Sequence, residues 1–149
     1  MDDGYLGPGI WIRIQHRFGP RMPEWFLAGH MLLFGYVLLL PTETFNQPSF
    51  IVFREWIKKD HLEWLMLIVG CARIIGLVVN GARKRVTPQI RQISGAIGCL
   101  VWVGISYGFA SSDVISTWFA IYPLFVLGEL VNIYRAAHDQ GEAYHGSIT

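Results

Sequence analysis

Cysteine and charge are both scarce in this chain. Its 149 residues hold two cysteines, Cys71 and Cys99, so no disulfide framework can be read from their spacing. Both sit inside long apolar runs, where a thiol behaves as a small apolar side chain. Neither is accompanied by a CxxC or HxxxH spacing of the kind that holds zinc or runs redox chemistry, and the sequence predicts no metal and no cofactor. Charged residues make up 15% of the chain and the net charge is +1. That is too little to attract nucleic acid, and the charges stand between the apolar blocks instead of along one face. A nucleophile with its base, paired carboxylates flanking a cleft and a glycine-rich phosphate loop are all missing from the pattern. The sequence therefore predicts a protein that is not an enzyme.

What the chain has instead is apolar length. Hydrophobic residues form 52% of it, with a mean hydropathy of +0.37, gathered in four blocks. The clearest runs from Leu62 to Gly81 and carries one full charge, Arg73, in its middle. About 20 mainly apolar residues cross the hydrocarbon of a bilayer, and a guanidinium at that depth needs a partner or a wet cavity. The fold predicted is all-α: an integral membrane four-helix bundle with short interfacial helices at the N-terminus and between the first two spans. Residues 1–23 form an interfacial or flexible segment that includes Trp11 and Arg13. The spans run over about 25–40, 63–80, 90–110 and 114–135 within a transmembrane domain of 24–137, and 138–149 form a polar tail. An interfacial helix is predicted over 49–61, capped by Ser49. Asp113 is read as a cap for the fourth span and Gly141 as a stop for any extension of it. The short basic link after Gly81 predicts that spans two and three are antiparallel neighbours.

Small residues mark candidate helix contacts: Gly70 on the second span, and on the third the pairs Ser94 with Gly98 and Gly104 with Gly108. Trp11, Trp25, Trp56, Trp64 and Trp118 stand where interfacial anchors belong, whereas Trp102 falls in the middle of a span. Arg83, Lys84, Arg85 and Arg91 read as a basic loop facing the lipid surface, and together with Arg13, Arg17, Arg21 and Arg135 they outnumber Arg54, Lys58 and Lys59 on the opposite side. By the excess of Lys and Arg in short loops, both termini are predicted to be cytoplasmic. The expected partners are the lipid bilayer and either further copies of the chain or another membrane protein.

At 1.5 Å of rise per residue, Arg73 lies roughly 12 Å below the cytoplasmic surface, and Glu129 and His30 roughly 9 Å. Gly70, Arg73, Leu77 and Asn80 share one helix face, and Tyr122, Phe125, Glu129 and Asn132 share another. The sequence thus predicts an intramembrane polar cluster of Arg73, Glu129, His30, Asn80 and Asn132. It has two readings: a structural ion pair with hydrogen-bonding neighbours, or the lining of a hydrated path for ions or protons.

NGARKRVTP at 80–88, a glycine-rich span containing Trp102, YP at 122–123 and ELVNIYRAAHD at 129–139 together resemble small multi-span membrane proteins encoded by tailed bacteriophages and prophages. That resemblance implies a non-enzymatic protein of the bacterial inner membrane, of a kind sometimes termed holin-like. Three functions follow as expectations. The first is holin-like permeabilisation through helix association. The second is a small ion or proton channel or transporter built on Arg73 and Glu129. The third is an accessory or interaction subunit acting in host takeover, phage exclusion or virion contact with the membrane.

Overall fold

The computed structural model describes residue 19 and residues 21–41, 43–79 and 87–145. The N-terminal segment with Trp11, the positions Asn80, Arg83, Lys84 and Arg85, and the last four residues lie outside the described part. Within it the protein is all-α. The helices are α1 (Met22–Leu39), α2 (Ile51–Trp56), α3 (Lys59–Val79), α4 (Thr87–Ala110) and α5 (Trp118–His145), and α1, α3, α4 and α5 are each long and apolar enough to cross a membrane.

Proline sets several of the boundaries. Pro23 in the first turn of α1 needs no partner for its missing N–H. The chain leaves α1 at Leu40, whose ψ of 144° is the extended conformation forced on the residue before Pro41. Gln47 is extended before Pro48 for the same reason, and Pro48 opens a short 3₁₀ turn, Pro48–Phe50, that leads into α2. Ser49 lies inside this turn and does not cap a helix. The interfacial helix read over 49–61 is also shorter than expected. It ends at Trp56, because Ile57 takes up an extended backbone (φ −143°, ψ 138°), and Lys59–His61 belong to α3.

The fourth span starts later and ends later than the sequence predicts. Residues 114–117 are not helical, as suits a run of Val114, Ile115, Ser116 and Thr117, whose β-branched and hydroxyl side chains disfavour helix. The Ser116 and Thr117 carbonyls instead accept from the amides of Phe119 and Ala120 at 3.1 and 3.0 Å, which starts α5. At the other end α5 runs through Gly141, which meets open space and interrupts nothing. The Gln92 side-chain amide donates to Gln140 Oε1 at 2.7 Å, and Arg91 binds Asp139, so α4 holds this extension in helical register.

Helix pairing refines one expectation. Spans two and three, read as antiparallel neighbours, border a common cleft and meet where Gly98 faces Arg73, but they do not make the extensive packing. The extensive packing is between α1 and α3 and between α4 and α5, giving two antiparallel hairpins. Glycine explains the first pairing. A Cβ at Gly35 would stand 2.9 Å from the Leu67 backbone nitrogen, and one at Gly70 would stand 2.8 Å from that of Leu32, so the two backbones meet where a side chain is missing. On α4, Gly95 takes the side chain of Ile133 from α5.

Between the hairpins lies a core of Met31, Leu38, Met66, Trp102, Ile105 and Tyr122 with the phenylalanines of α2 and its approach. Trp102, the tryptophan that fits no interface, is completely buried; it stacks on Tyr122 at 5.8 Å between ring centroids and meets Phe125 edge-on at 5.0 Å. Leu33, Ile68, Ile75, Leu100, Leu124 and Leu127 point outward. In a bilayer that apolar exterior carries no cost, because lipid tails are as apolar as leucine.

Candidate functional site

Two tiers of buried charge sit toward the end of the bundle where α1 and α4 begin and α3 and α5 finish. The deeper tier is the one the sequence singled out. Arg73 on α3 and Glu129 on α5 form a bidentate ion pair, with Nη2 donating to Oε2 at 2.8 Å and Nη1 donating to Oε1. Arg73 is 7% exposed and Glu129 fully buried. Asn132, one turn further along α5, donates its side-chain amide to Glu129 Oε2 at 3.4 Å. Gly98 on α4 makes room for the pair, since a Cβ there would collide with both Arg73 Nη1 and the Glu129 carboxylate. Two parallel hydrogen bonds between guanidinium and carboxylate are the strong form of this interaction, and a pair so deep persists only when geometry of that quality offsets its desolvation.

His30 departs from the expectation. It packs among aromatic rings, 4.5 Å from Phe125, 5.6 Å from Trp102 and 6.1 Å from Phe26 between centroids, with Phe125 and Trp102 four residues from Glu129 and Gly98 respectively. Residue counting gave an approximate depth for His30 but not the direction in which α1 presents it. Asn80 lies outside the described residues.

Arg91 is a larger correction. Read as part of a lipid-facing basic loop, it lies in the opening turns of α4 and is buried. Its Nε and Nη2 donate to Glu24 Oε1 at 2.9 and 2.5 Å, and its Nη1 donates to Asp139. Arg91 and Gly98 are seven residues apart, which puts them on one face of α4 two turns from each other. The face that carries Glu129 continues through Asn132 and Ala136 to Asp139 at 3-4-3 spacing. Following the Gly98 face of α4 and the Asn132 face of α5 for two turns would have found Arg91 and Asp139. Glu24, in the first turn of α1, carries no comparable signal beyond being the only acidic residue of that turn.

The small-residue positions divide. Gly70, Gly98 and Gly108 are contacts, the last facing the Phe53 ring, whereas Gly104 meets open space and packs nothing. Ser94 lines a cleft of about 270 Å³ between α3 and α4, together with Ile68, Ile90, Ile97 and the two buried arginines. Gly35, Gly95 and Gly128 do the work expected of Gly104; they fall outside a small-xxx-small pattern, so the pattern passed over them. Of the tryptophan anchors, Trp56 and Trp64 are mostly exposed, Trp118 less so, and Trp25 half-buried. Trp56 stacks on Tyr107 at 5.2 Å.

Chemically, this is an arrangement that holds helices together. Both Glu129 oxygens are engaged, and Arg91 is bracketed by two carboxylates. Among the described residues no group of three or more His, Cys, Asp and Glu side chains could hold a metal ion. Compared with protein families, curated proteins and solved structures, the chain matches none.

Proposed function

We propose that this is a non-enzymatic protein of the bacterial inner membrane that acts through helix association, with holin-like permeabilisation as its concrete activity. The observation that carries the reading is the pairing of the intramembrane charges. Arg73 with Glu129 and Arg91 with Glu24 close on each other inside one copy, while the outer faces of the spanning helices are apolar. A route for ions lined by charge within a single copy would need some of that charge facing water. Permeabilisation then belongs to assemblies of copies, and not to a charge-lined route through a single one. The resemblance of residues 80–88 and 132–137 to phage membrane proteins points the same way.

Inducible expression in a bacterial host, followed with a potential-sensitive dye, tests this directly. The expected result is loss of membrane potential once the protein passes a threshold level. Normal potential with the protein abundant in the membrane would instead favour an accessory or interaction subunit. Slow growth alone decides nothing, since many overproduced membrane proteins are toxic.

The same reading places both termini in the cytoplasm, on the strength of the arginine and lysine distribution. Reporter fusions after Thr44, Arg85, Ser112 and Thr149 are expected to read outside, inside, outside and inside. An outside signal at Arg85 would reverse the assignment, because that stretch holds the densest positive charge.

A further inference from the structure

The bundle is two hairpins of different internal character from the seam that joins them. Inside the first hairpin, contact is backbone to backbone: Gly35 against Leu67 and Gly70 against Leu32. Across the seam, glycines meet the ends of side chains instead. A Cβ at Gly128 of α5 would stand 3.1 Å from Leu27 of α1, one at Gly108 of α4 would meet the Phe53 ring, and one at Gly98 would meet the Arg73–Glu129 pair. Close backbone packing stays within the hairpins, and the seam between them is filled by core side chains. Both flanks of the seam are open: one cleft separates α3 from α4, and a second, of about 230 Å³, lies between α1 and α5, reaching from His30 to Thr44 and Trp118.

Charge crosses that seam in a particular way. The first hairpin contributes Glu24 and Arg73, the second Arg91 and Glu129, and the Arg73–Glu129 and Arg91–Glu24 pairs each take one partner from either side, while Arg91–Asp139 lies inside the second hairpin. The first hairpin holds no partner of its own for Arg73 or Glu24 in these pairs, nor the second for Glu129, yet each is complementary to the other. A second copy of this chain offers the same complementary face.

We infer that the partner of each hairpin is exchangeable: the first hairpin of one copy seats on the second hairpin of another, rebuilding the Arg73–Glu129 and Arg91–Glu24 pairs between copies. Exchange of an identical element reuses every native contact, so it is a low-cost route to assembly. Passed head to tail from copy to copy, it closes into a ring when the rotation permits. The inference rests on the proposed assembly of copies and names the surface through which they assemble.

The test uses full-length protein with Cys71→Ala and Cys99→Ala. One copy carries Leu27→Cys, and a second, differently tagged, carries Gly128→Cys. The two are co-expressed and treated in membranes with a short bis-thiol cross-linker. The expected result is a linked species bearing both tags. Leu27→Cys paired with Gly104→Cys, whose position meets open space, should link at least ten-fold less. No species with both tags, or equal linking in the two pairings, would overturn the exchange. A second arm reads the charges: Arg73→Glu in one copy and Glu129→Arg in another create mismatched pairs within each copy and matched pairs between them. Co-expression should raise the accumulation of both several-fold over either alone, and no rise counts against exchange. Cross-linking reports exchange whether or not the membrane depolarises, so the two ideas fail separately.

Discussion

Arg73→Ala and Glu129→Ala are each expected to destabilise the bundle by about 3 to 5 kcal/mol, because either change leaves a buried charge without its partner. The loss is not that of a surface salt bridge, which is worth about 1 kcal/mol or less. Arg73 without Glu129 has the Gly98 face of α4 beside it, and Glu129 without Arg73 keeps the 3.4 Å hydrogen bond from Asn132. The double alanine variant should regain much of the loss, since it removes both charges along with their desolvation. Exchanging the residues, Arg73→Glu with Glu129→Arg, should outperform either single reversal, although the two side chains differ in length and geometry. Unfolding in detergent micelles by added denaturing surfactant, followed by helical circular dichroism, measures all of these. If the double variant were as unstable as the sum of the singles, the pair would not be the reason for the loss.

The second large effect is at Gly98. Alanine there places a methyl group where Arg73 Nη1 and the Glu129 carboxylate meet, so either the ion pair parts or α4 moves outward. Overpacking of this kind costs about 1 to 3 kcal/mol, and the breaking of the pair adds to it. Gly104→Ala, on the same helix, adds a methyl group in open space, and the gain in helix propensity should stabilise it by up to about 1 kcal/mol. The same unfolding measurement compares them. Equal effects at the two positions would mean that Gly98 has no special role in seating the pair.

The sequence alone determined that the chain has four segments long and apolar enough to cross a membrane, because span length and hydropathy are properties of each segment taken singly. It also determined that Arg73 meets Glu129. Each is a lone full charge on a stripe of one-face periodicity, and at similar depth in an apolar medium the two had few alternatives. Element ends were legible where proline forces them, as at Pro23, Pro41 and Pro48, and less so where several weak preferences compete, as around Val114 and Gly141. The pairing of helices was decided only in three dimensions. A short link between α3 and α4 constrains where their ends lie, but backbone approach at Gly35 and Gly70 decides which helix α3 packs on. The same holds for His30, Gly104 and Arg91. Depth and spacing follow from counting residues, whereas the direction a side chain faces depends on how each helix is rotated about its axis, and that rotation is set by all its neighbours together.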